Sequence, residues 1–183
     1  MKSINNYINN AINEAIKSED QHIIDFLNMV AKNSSGYQQK LYQDKANDAD
    51  SVDVVPLSEV FTENEIKEIK KIVRPQPKCC YENAWKLCDR FGYSNHEILY
   101  CEGYMNFKGI PIEHAFNKVD GKYVDITAEL ALNREIEDTY VVFGEFNDSE
   151  VRDILIQNGF YGNIYDTIKL NKYKENISSS NAA

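Results

Sequence analysis

The sequence lacks long apolar runs, glycine-rich loops and an excess of basic charge. No segment of its 183 residues approaches the length of a membrane span, and Met1 to Asn6 lack the apolar run of a signal peptide. Lysine and arginine total 20 against 29 acidic residues, and the net charge of −9 disfavours nucleic acid or an anionic membrane as the main partner. Gly109 and Gly121 are isolated and match no phosphate-binding or dinucleotide-binding loop. We therefore predict a cytoplasmic protein without a nucleotide cofactor.

The four cysteines and three histidines do not have the spacing of a metal site. The chain has no Cys-x-x-Cys or His-x-x-x-His pair, and adjacent Cys79 and Cys80 cannot easily both close a tetrahedral zinc shell. Four cysteines without framework spacing, in a chain with no export signal, indicate reduced thiols. Cys88 and Cys101 fit small buried apolar positions. We predict neither a metal site nor another cofactor.

A hairpin is predicted from two strand-like runs, Ile110 to Val119 and Lys122 to Thr127. The connecting Asp120-Gly121 is a strong signal for a two-residue type I′ turn. If both runs pair over their full length, His114 and Asp125 share one face as diagonal neighbours, about 7–8 Å apart at the backbone. A carboxylate bonded to one ring nitrogen orients the other nitrogen outward. The alternative is a histidine and an aspartate that only decorate a solvated sheet face.

A thiol is predicted at the start of a helix. The prolines of Arg74-Pro75-Gln76-Pro77 stop a preceding helix, and apolar residues at helical spacing follow Cys80 as far as Gly92, a plausible C-cap. Cys79 or Cys80 therefore lies at a helix N-terminus. The free N–H groups and the helix dipole there stabilise a thiolate and lower its pKa. The same N–H groups could stabilise the oxyanion of a tetrahedral intermediate.

The order of these motifs resembles the transglutaminase-like superfamily. The look-alikes that fit best are small bacterial and phage proteins with three elements, which stand here as Cys80 to Ala84, Glu102-Gly103-Tyr104 and Ile110 to Ala115. A Val-Asp-x-Thr segment follows at Val124 to Thr127. The resemblance covers residues 75–160. It implies an α+β fold with a papain-like core, in which the nucleophile helix packs on a small antiparallel sheet and N-terminal helices are added.

The resemblance also implies a catalytic triad. Cys80, which precedes Tyr-x-Asn-Ala, would be the nucleophile, His114 the general base and acid, and Asp125 the orienting carboxylate. A thioester would form with a peptide, protein or small amide substrate, and water or an amine would resolve it, giving hydrolysis, deamidation or cross-linking. Phe116 replaces the commoner Trp after His-Ala, and Ile126 replaces the Pro often found after the Asp. Neither replacement alters a residue that would take part in the reaction.

A second function class stays open. The chain could be a catalytically idle member of the same fold that serves as a binding module. A phage-encoded version would bind a host factor, and its compartment would be the host cytoplasm. An idle copy would be expected to have lost one of the three triad residues, and none is lost here.

Five further residues are candidates for the oxyanion hole or the substrate cleft. The Gln76 side-chain amide could donate to the oxyanion, or Gln76 could be a plain loop residue. Tyr81 follows the nucleophile. Asn83, in the first helical turn, could cap the helix or pack on the hairpin. Glu102 and Tyr104 could line the cleft or lie on a solvated sheet face.

Three regions are predicted along the chain: residues 1–55 as an N-terminal helical arm with an acidic linker, 56–170 as the catalytic domain, and 171–183 as a flexible polar tail. Tyr37 to Asp53 reads as loop, whereas Thr62-Glu63-Asn64-Glu65 is a capping box that opens a helix ending at Val73. An amphipathic stripe near the N-terminus either packs on the catalytic domain or contacts a partner or a second copy. Its residues are Ile4, Ile8, Ala11, Ile12, Ala15 and Ile16.

Overall fold

The computed structural model describes residues 20–92, 95–136 and 138–180, and within them the fold is mixed α/β around one antiparallel sheet. Its five strands are β1 (Asp50–Val52), β2 (Ile98–Phe107), β3 (Ile110–Val119), β4 (Lys122–Val124) and β5 (Thr139–Phe146). They lie in the order β1-β5-β2-β3-β4. The three long strands β5, β2 and β3 form the middle of the sheet, and the two three-residue strands, β1 and β4, form its edges.

Helices cover one face of this sheet. The helix that matters most for the site is α4 (Cys80–Phe91), which packs on β3 and β2. A 3₁₀ turn (Leu57–Glu59) and a π-helical turn (Thr127–Ala131) complete the regular structure. The helices are α1 (residues 20–33), α2 (Gly36–Asp48), α3 (Glu63–Val73), α4 (Cys80–Phe91), α5 (Asp148–Asn158) and α6 (Ile164–Ser180).

Local sequence signals account for several of these boundaries. The capping box of Thr62 and Glu65 is present and opens α3, as predicted. Asn147 and Glu150 form a second capping box at α5, which ends on Gly159 with a left-handed φ of 75°. The buried Cys88 and Cys101 also lie where the sequence predicts.

The β3–β4 hairpin confirms the predicted turn but is shorter than predicted. Asp120 and Gly121 have φ values of 50° and 84°, and Val119 pairs with Lys122. The second strand ends at Val124, so the prediction that it runs to Thr127 is wrong. The reason is local: Oδ1 of Asp125 accepts the N–H groups of Thr127 (2.8 Å) and Ala128 (3.1 Å), which turns the chain out of the ladder.

The N-terminal region is part of the main core from residue 20 onward. Ile23 and Leu27 are fully buried in the same cluster as Leu87 and Val141. The predicted loop from Tyr37 to Asp53 is instead α2 followed by β1, which pairs with β5. The sequence of α2 is polar because it buries only Leu41 and Lys45, which hides its periodicity. The isoleucine stripe of residues 4–16 lies outside the described residues.

The C-terminal region also differs from the prediction. Residues 171–180, predicted as a flexible tail, continue α6 to Ser180. Side chains of this helix make long-range contacts with α2: for example, the Tyr173 hydroxyl donates to Asp44, and Lys169 Nζ lies 2.8 Å from Asp48. These tertiary contacts explain a helix that composition alone does not predict.

The second face of the sheet carries a smaller apolar cluster. Its buried members come from β2, β3 and β5, with Val54 and Ile136 packed against them from connecting segments. His114 lies on this face too. It is two residues from Phe116 on β3, and side chains two apart on a strand point to the same side of the sheet. The cluster consists of Cys101, Met105, Phe116, Tyr140 and Val142.

Candidate active site

Cys80 is the first residue of α4. Lys78 before it has a left-handed φ of 63°, and Cys79 occupies the N-cap position without making a side-chain cap. The first-turn N–H groups of α4 therefore remain directed at the space around Cys80. Cys80 is a partly exposed residue, as is Cys79. The structure thus places a partly exposed cysteine at the positive end of a helix dipole.

His114 and Asp125 are in direct contact. Nε2 of His114 lies 2.7 Å from Oδ2 of Asp125, and the two side chains are only 8% and 1% exposed. The predicted contact is therefore confirmed, although Asp125 reaches it from beyond the end of β4 and not from a paired strand position. Because Nε2 is bonded to Asp125, Nδ1 is the ring nitrogen left for an interaction with Cys80.

The Asp125 carboxylate is saturated with donors. Oδ1 accepts the two backbone N–H groups of the π-helical turn, and Oδ2 accepts from His114 and from the Tyr140 hydroxyl at 2.9 Å. Sequence reasoning missed this contact. No local signal marks it, because the contact depends on β5 returning beside β2, where Tyr140 pairs with Met105.

β4 leaves the outer edge of β3 uncovered near Cys80. The β3–β4 ladder runs only from Val119 to Asn117 on β3. The backbone N–H groups of Ala115, beyond the end of that ladder, and of Tyr81 help to lower the pKa of the Cys80 thiol. Cys80 is thus placed near the part of β3 that β4 does not cover.

The three side chains shift one another's pKa values in one consistent pattern. Burial raises the pKa of the Cys80 thiol, but the hydrogen bond and charge of His114 and the backbone N–H groups outweigh it, so the pKa is lowered. Burial opposes the charge on His114, but the Asp125 carboxylate raises its pKa to about 10. Burial likewise opposes the charge on Asp125, whose pKa is nevertheless lowered by His114. All three directions favour the charged forms, which are a thiolate, an imidazolium and a carboxylate.

Asn83 connects the segment before Cys80 to the turn after Asp125. Its Nδ2 donates to the Gln76 carbonyl (2.8 Å) and to Thr127 Oγ1 (3.1 Å), and its Oδ1 accepts the Gln76 N–H (3.0 Å). The side chain is buried. The Gln76 side-chain amide is directed to the Arg74 carbonyl (3.1 Å), so the structure does not bring it to the thiol.

Glu102 and Tyr104 are buried, so the interpretation as a solvated sheet face is wrong. The Glu102 carboxylate accepts the N–H groups of Ile164 and Tyr165, each at 3.0 Å, and the hydroxyl of Tyr100 at 2.9 Å. It therefore caps the N-terminus of α6. Burial raises the pKa of Glu102 to about 7, although the two backbone donors oppose this shift.

Tyr104 and Tyr81 pack against the helices around the site. The Tyr104 ring lies 6.0 Å from that of Phe26 in α1. The Tyr81 ring lies against Gly162, where an added Cβ would come within 2.9 Å of it, so this glycine permits the close approach. Tyr104 is therefore buried, whereas Tyr81, which belongs to α4, is half-buried.

A buried lysine, Lys45, lies near the candidate active site, and sequence reasoning did not identify it. Lys45 of α2 forms ion pairs with Glu113 (2.7 Å) and Asp166 (2.8 Å), and its side chain is 2% exposed. Glu113 directly precedes His114 on β3. This ion cluster therefore joins α2, β3 and α6 next to the candidate active site.

An exposed apolar groove of about 470 Å³ lies beside α4. Ile156 is 77% exposed, Phe160 53% and Tyr161 43%. Tyr161 reaches α4 through Trp85, whose ring centroid lies 5.5 Å away. Large exposed apolar side chains grouped in this way are typical of an interaction surface.

In comparisons with protein-family models, curated proteins and solved structures, nothing matches this chain. Within the described residues, no helix has both the length and the apolar character needed to cross a membrane. The same part of the chain holds no group of three or more His, Cys, Asp or Glu side chains that could bind a metal ion. The interpretation of the site therefore depends on its own geometry.

Proposed function

We propose that the protein is a cysteine-nucleophile hydrolase or acyltransferase that acts on amide or ester carbonyls. The observation that carries this proposal is the direct contact of His114 with the buried Asp125, together with the influence of His114 on the partly exposed Cys80, whose pKa it helps to lower against the opposing effect of burial. A thiol at a helix N-terminus, paired with an oriented imidazole, has the properties of an activated nucleophile.

In the proposed reaction the Cys80 thiolate attacks the substrate carbonyl carbon and forms the C–S bond. The negative charge that develops on the carbonyl oxygen is accepted by N–H groups of the first turn of α4. His114 then transfers a proton from Nδ1 to the leaving amine or alcohol as the C–N or C–O bond breaks, which leaves a thioester. Water or an amine, deprotonated by His114, attacks the thioester and restores the thiolate.

The order of elements supports a transglutaminase-like or papain-like assignment for the fold. The nucleophile begins a helix that packs on an antiparallel sheet, the imidazole follows on a strand, and the carboxylate follows the next strand. The substrate we propose is a peptide, a protein side chain such as a glutamine amide, or a small acyl compound. Hydrolysis is the simplest outcome, because water needs no second binding site.

The first test is the alkylation rate of each cysteine by iodoacetamide as a function of pH, resolved by mass spectrometry. We expect Cys80 to react faster than Cys79, with a midpoint below the free-thiol value of about 8.5. His114→Ala should raise that midpoint and slow the reaction at pH 7. His96→Ala is the matched control, since His96 also binds a carboxylate, Asp120, at 2.6 Å, but away from the thiol. A Cys80 rate that is insensitive to His114 would contradict the proposal.

Turnover is then measured with p-nitrophenyl esters and with glutamine peptides, with and without an added primary amine. Cys80→Ser should abolish turnover, whereas Cys79→Ser should retain it. Ammonia release without amine incorporation identifies hydrolysis, and incorporation identifies transfer. Equal loss of activity in both serine variants would contradict the assignment of Cys80 as the single nucleophile.

A second candidate function, a binding module without catalysis, is favoured by the apolar groove of Ile156, Phe160 and Tyr161. If this function is the correct one, Cys80 alkylates slowly and without dependence on His114. Phe160→Ser combined with Tyr161→Ser would then abolish binding to a partner protein, while Cys80→Ser would not affect it. The alkylation experiment therefore separates the two candidates before any substrate is known.

A further inference from the structure

Two donors share one oxygen of the candidate triad. Oδ2 of Asp125 accepts Nε2 of His114 at 2.7 Å and the Tyr140 hydroxyl at 2.9 Å. Tyr140 is fully buried, and its ring centroid lies 6.1 Å from that of His114 and 5.4 Å from that of Phe116. The ring is thus held on both sides, and its hydroxyl has a fixed direction towards the carboxylate.

Tyr140 is not needed to orient Asp125. The other oxygen, Oδ1, is already held by the backbone N–H groups of Thr127 and Ala128. The hydroxyl therefore has an electrostatic effect on the carboxylate, since a donor to the charged form of an acid lowers its affinity for protons. The pKa of Tyr140 itself is raised by burial and by Asp125, so the phenol stays a neutral donor.

We propose that Tyr140 is a positioning residue that limits the proton affinity of the His114–Asp125 pair, so that the imidazolium can release its proton to the leaving group. This inference rests on the proposed function. Asp125 raises the pKa of His114 to about 10. A general acid works best when its pKa is near the operating pH, so a further increase would slow proton release. The hydrogen bond from Tyr140 opposes that increase.

The test is a graded series at one position. Tyr140 is replaced by phenylalanine, and by 3-fluorotyrosine and 3,5-difluorotyrosine introduced site-specifically, and the His114 imidazole is titrated by NMR from pH 5 to 11. Fluorination makes the phenol a stronger donor, so the proton affinity of His114 should fall stepwise along the series. Tyr140→Phe should raise it about tenfold, the effect of losing one hydrogen bond to a charged group.

Activity should follow the same order. The alkaline limb of kcat/KM against pH should move up with phenylalanine and down with each added fluorine. Tyr165→Phe is the matched control, because Tyr165 is also a buried tyrosine that donates to a carboxylate, Asp48, at 2.7 Å, but away from the triad. It should leave the His114 titration unchanged.

The outcomes distinguish the inference about Tyr140 from the proposed function. If His114 titrates identically in the wild type and both fluorinated variants, the inference about Tyr140 is overturned, even if Cys80 is reactive. If the titration shifts in order while wild-type Cys80 alkylation is independent of His114, the proposed function fails and the electrostatic coupling remains. The fluorinated variants keep the hydroxyl and nearly the same volume, so this comparison holds even if Tyr140→Phe does not fold.

Discussion

Asn83 in α4 and Thr127 in the π-helical turn are joined by a buried hydrogen bond of 3.1 Å across 44 positions of sequence. The same Asn83 side chain holds both backbone polar groups of Gln76. One amide therefore fixes the segment that enters α4 relative to the segment that leaves Asp125. The distance between thiol and carboxylate depends on this connection, although neither group touches Asn83 in the contacts described above.

Replacing Asn83 should therefore affect both stability and thiol reactivity. Asn83→Ala removes three hydrogen bonds and leaves buried groups unsatisfied, so we expect a loss of about 3 kcal/mol in the free energy of unfolding. We also expect slower Cys80 alkylation at pH 7. Urea unfolding and peptide mapping check the two effects. Thr127→Val, which removes one of the three bonds, should cost about 1 kcal/mol. An Asn83→Ala variant with normal Cys80 reactivity would contradict this role.

Asp125→Asn should reduce the charge of the pair without a large change in volume. His114 loses the carboxylate that raises its pKa, so this pKa should fall towards the ordinary value of 6.5 and the Cys80 midpoint should rise. Alkylation against pH measures the second effect. Asp120→Asn removes the carboxylate bound to His96 and should leave the Cys80 profile unchanged. Similar profiles for wild type and Asp125→Asn would show that the pair does not control the thiol.

The same substitution has a predicted signature in stability. The raised pKa of His114 adds stability that is complete below pH 6.5 and is lost as the pH rises through about 10. The lowered pKa of Asp125 adds stability that is present above pH 3.8 and is lost as the pH falls below it. The stability difference between wild type and Asp125→Asn should therefore be largest between pH 3.8 and 6.5, where both contributions are complete. Urea unfolding at pH 3, 6 and 10.5 tests this dependence.

Glu102 should make the wild type less stable as the pH rises. Its pKa is raised to about 7 from an ordinary 4.5, so the folded protein binds this proton more tightly than the unfolded chain does. The contribution is complete below pH 4.5 and is lost between pH 4.5 and 7, by about 3 kcal/mol. Glu102→Gln cannot titrate. The stability of wild type relative to Glu102→Gln should fall across this range and stay level above it; a flat difference would contradict the prediction.

Lys45→Met should be strongly destabilising because it leaves Glu113 and Asp166 without their shared cation. We expect a loss of about 3 kcal/mol in the free energy of unfolding. Lys169→Met is the matched control, since Lys169 also joins α6 to α2 through Asp44 and Asp48 but its side chain is 22% exposed. That change should cost less than about 1 kcal/mol. Equal losses in urea unfolding would show that burial of Lys45 is not what makes its ion pairs important.

The features predicted from the sequence are those specified by neighbouring residues. The Asp-Gly turn defines β3 and the start of β4, the capping box defines α3, and the proline-rich segment defines where α4 begins. The His114–Asp125 contact follows from the hairpin, because a separation of 11 residues through a known turn leaves few geometries. The catalytic role of the three residues stays a prediction.

The features that the sequence did not predict depend on distant partners. α2 is anchored to the core partly through its buried Lys45, whose acidic partner Glu113 is 68 residues away, and a polar helix of this kind resembles a loop in a hydropathy pattern. Glu102 is buried because it caps α6, 62 residues further along the chain. Tyr140 reaches Asp125 only after β5 has joined β2. In each case a polar side chain takes its role from an element that local spacing does not specify.

The pairing of β1 with β5 has a consequence for shortened versions of the protein. Asp50 to Val52 cover the backbone edge of β5 from Val142 to Tyr140. A chain beginning at Pro56, as the sequence-derived domain boundary suggests, would expose that edge and would lose the α1 and α2 side chains that fill the core. An uncovered strand edge beside exposed apolar surface is a template for intermolecular pairing. Such a chain should form aggregates, and the residues before Pro56 therefore protect the protein against self-association.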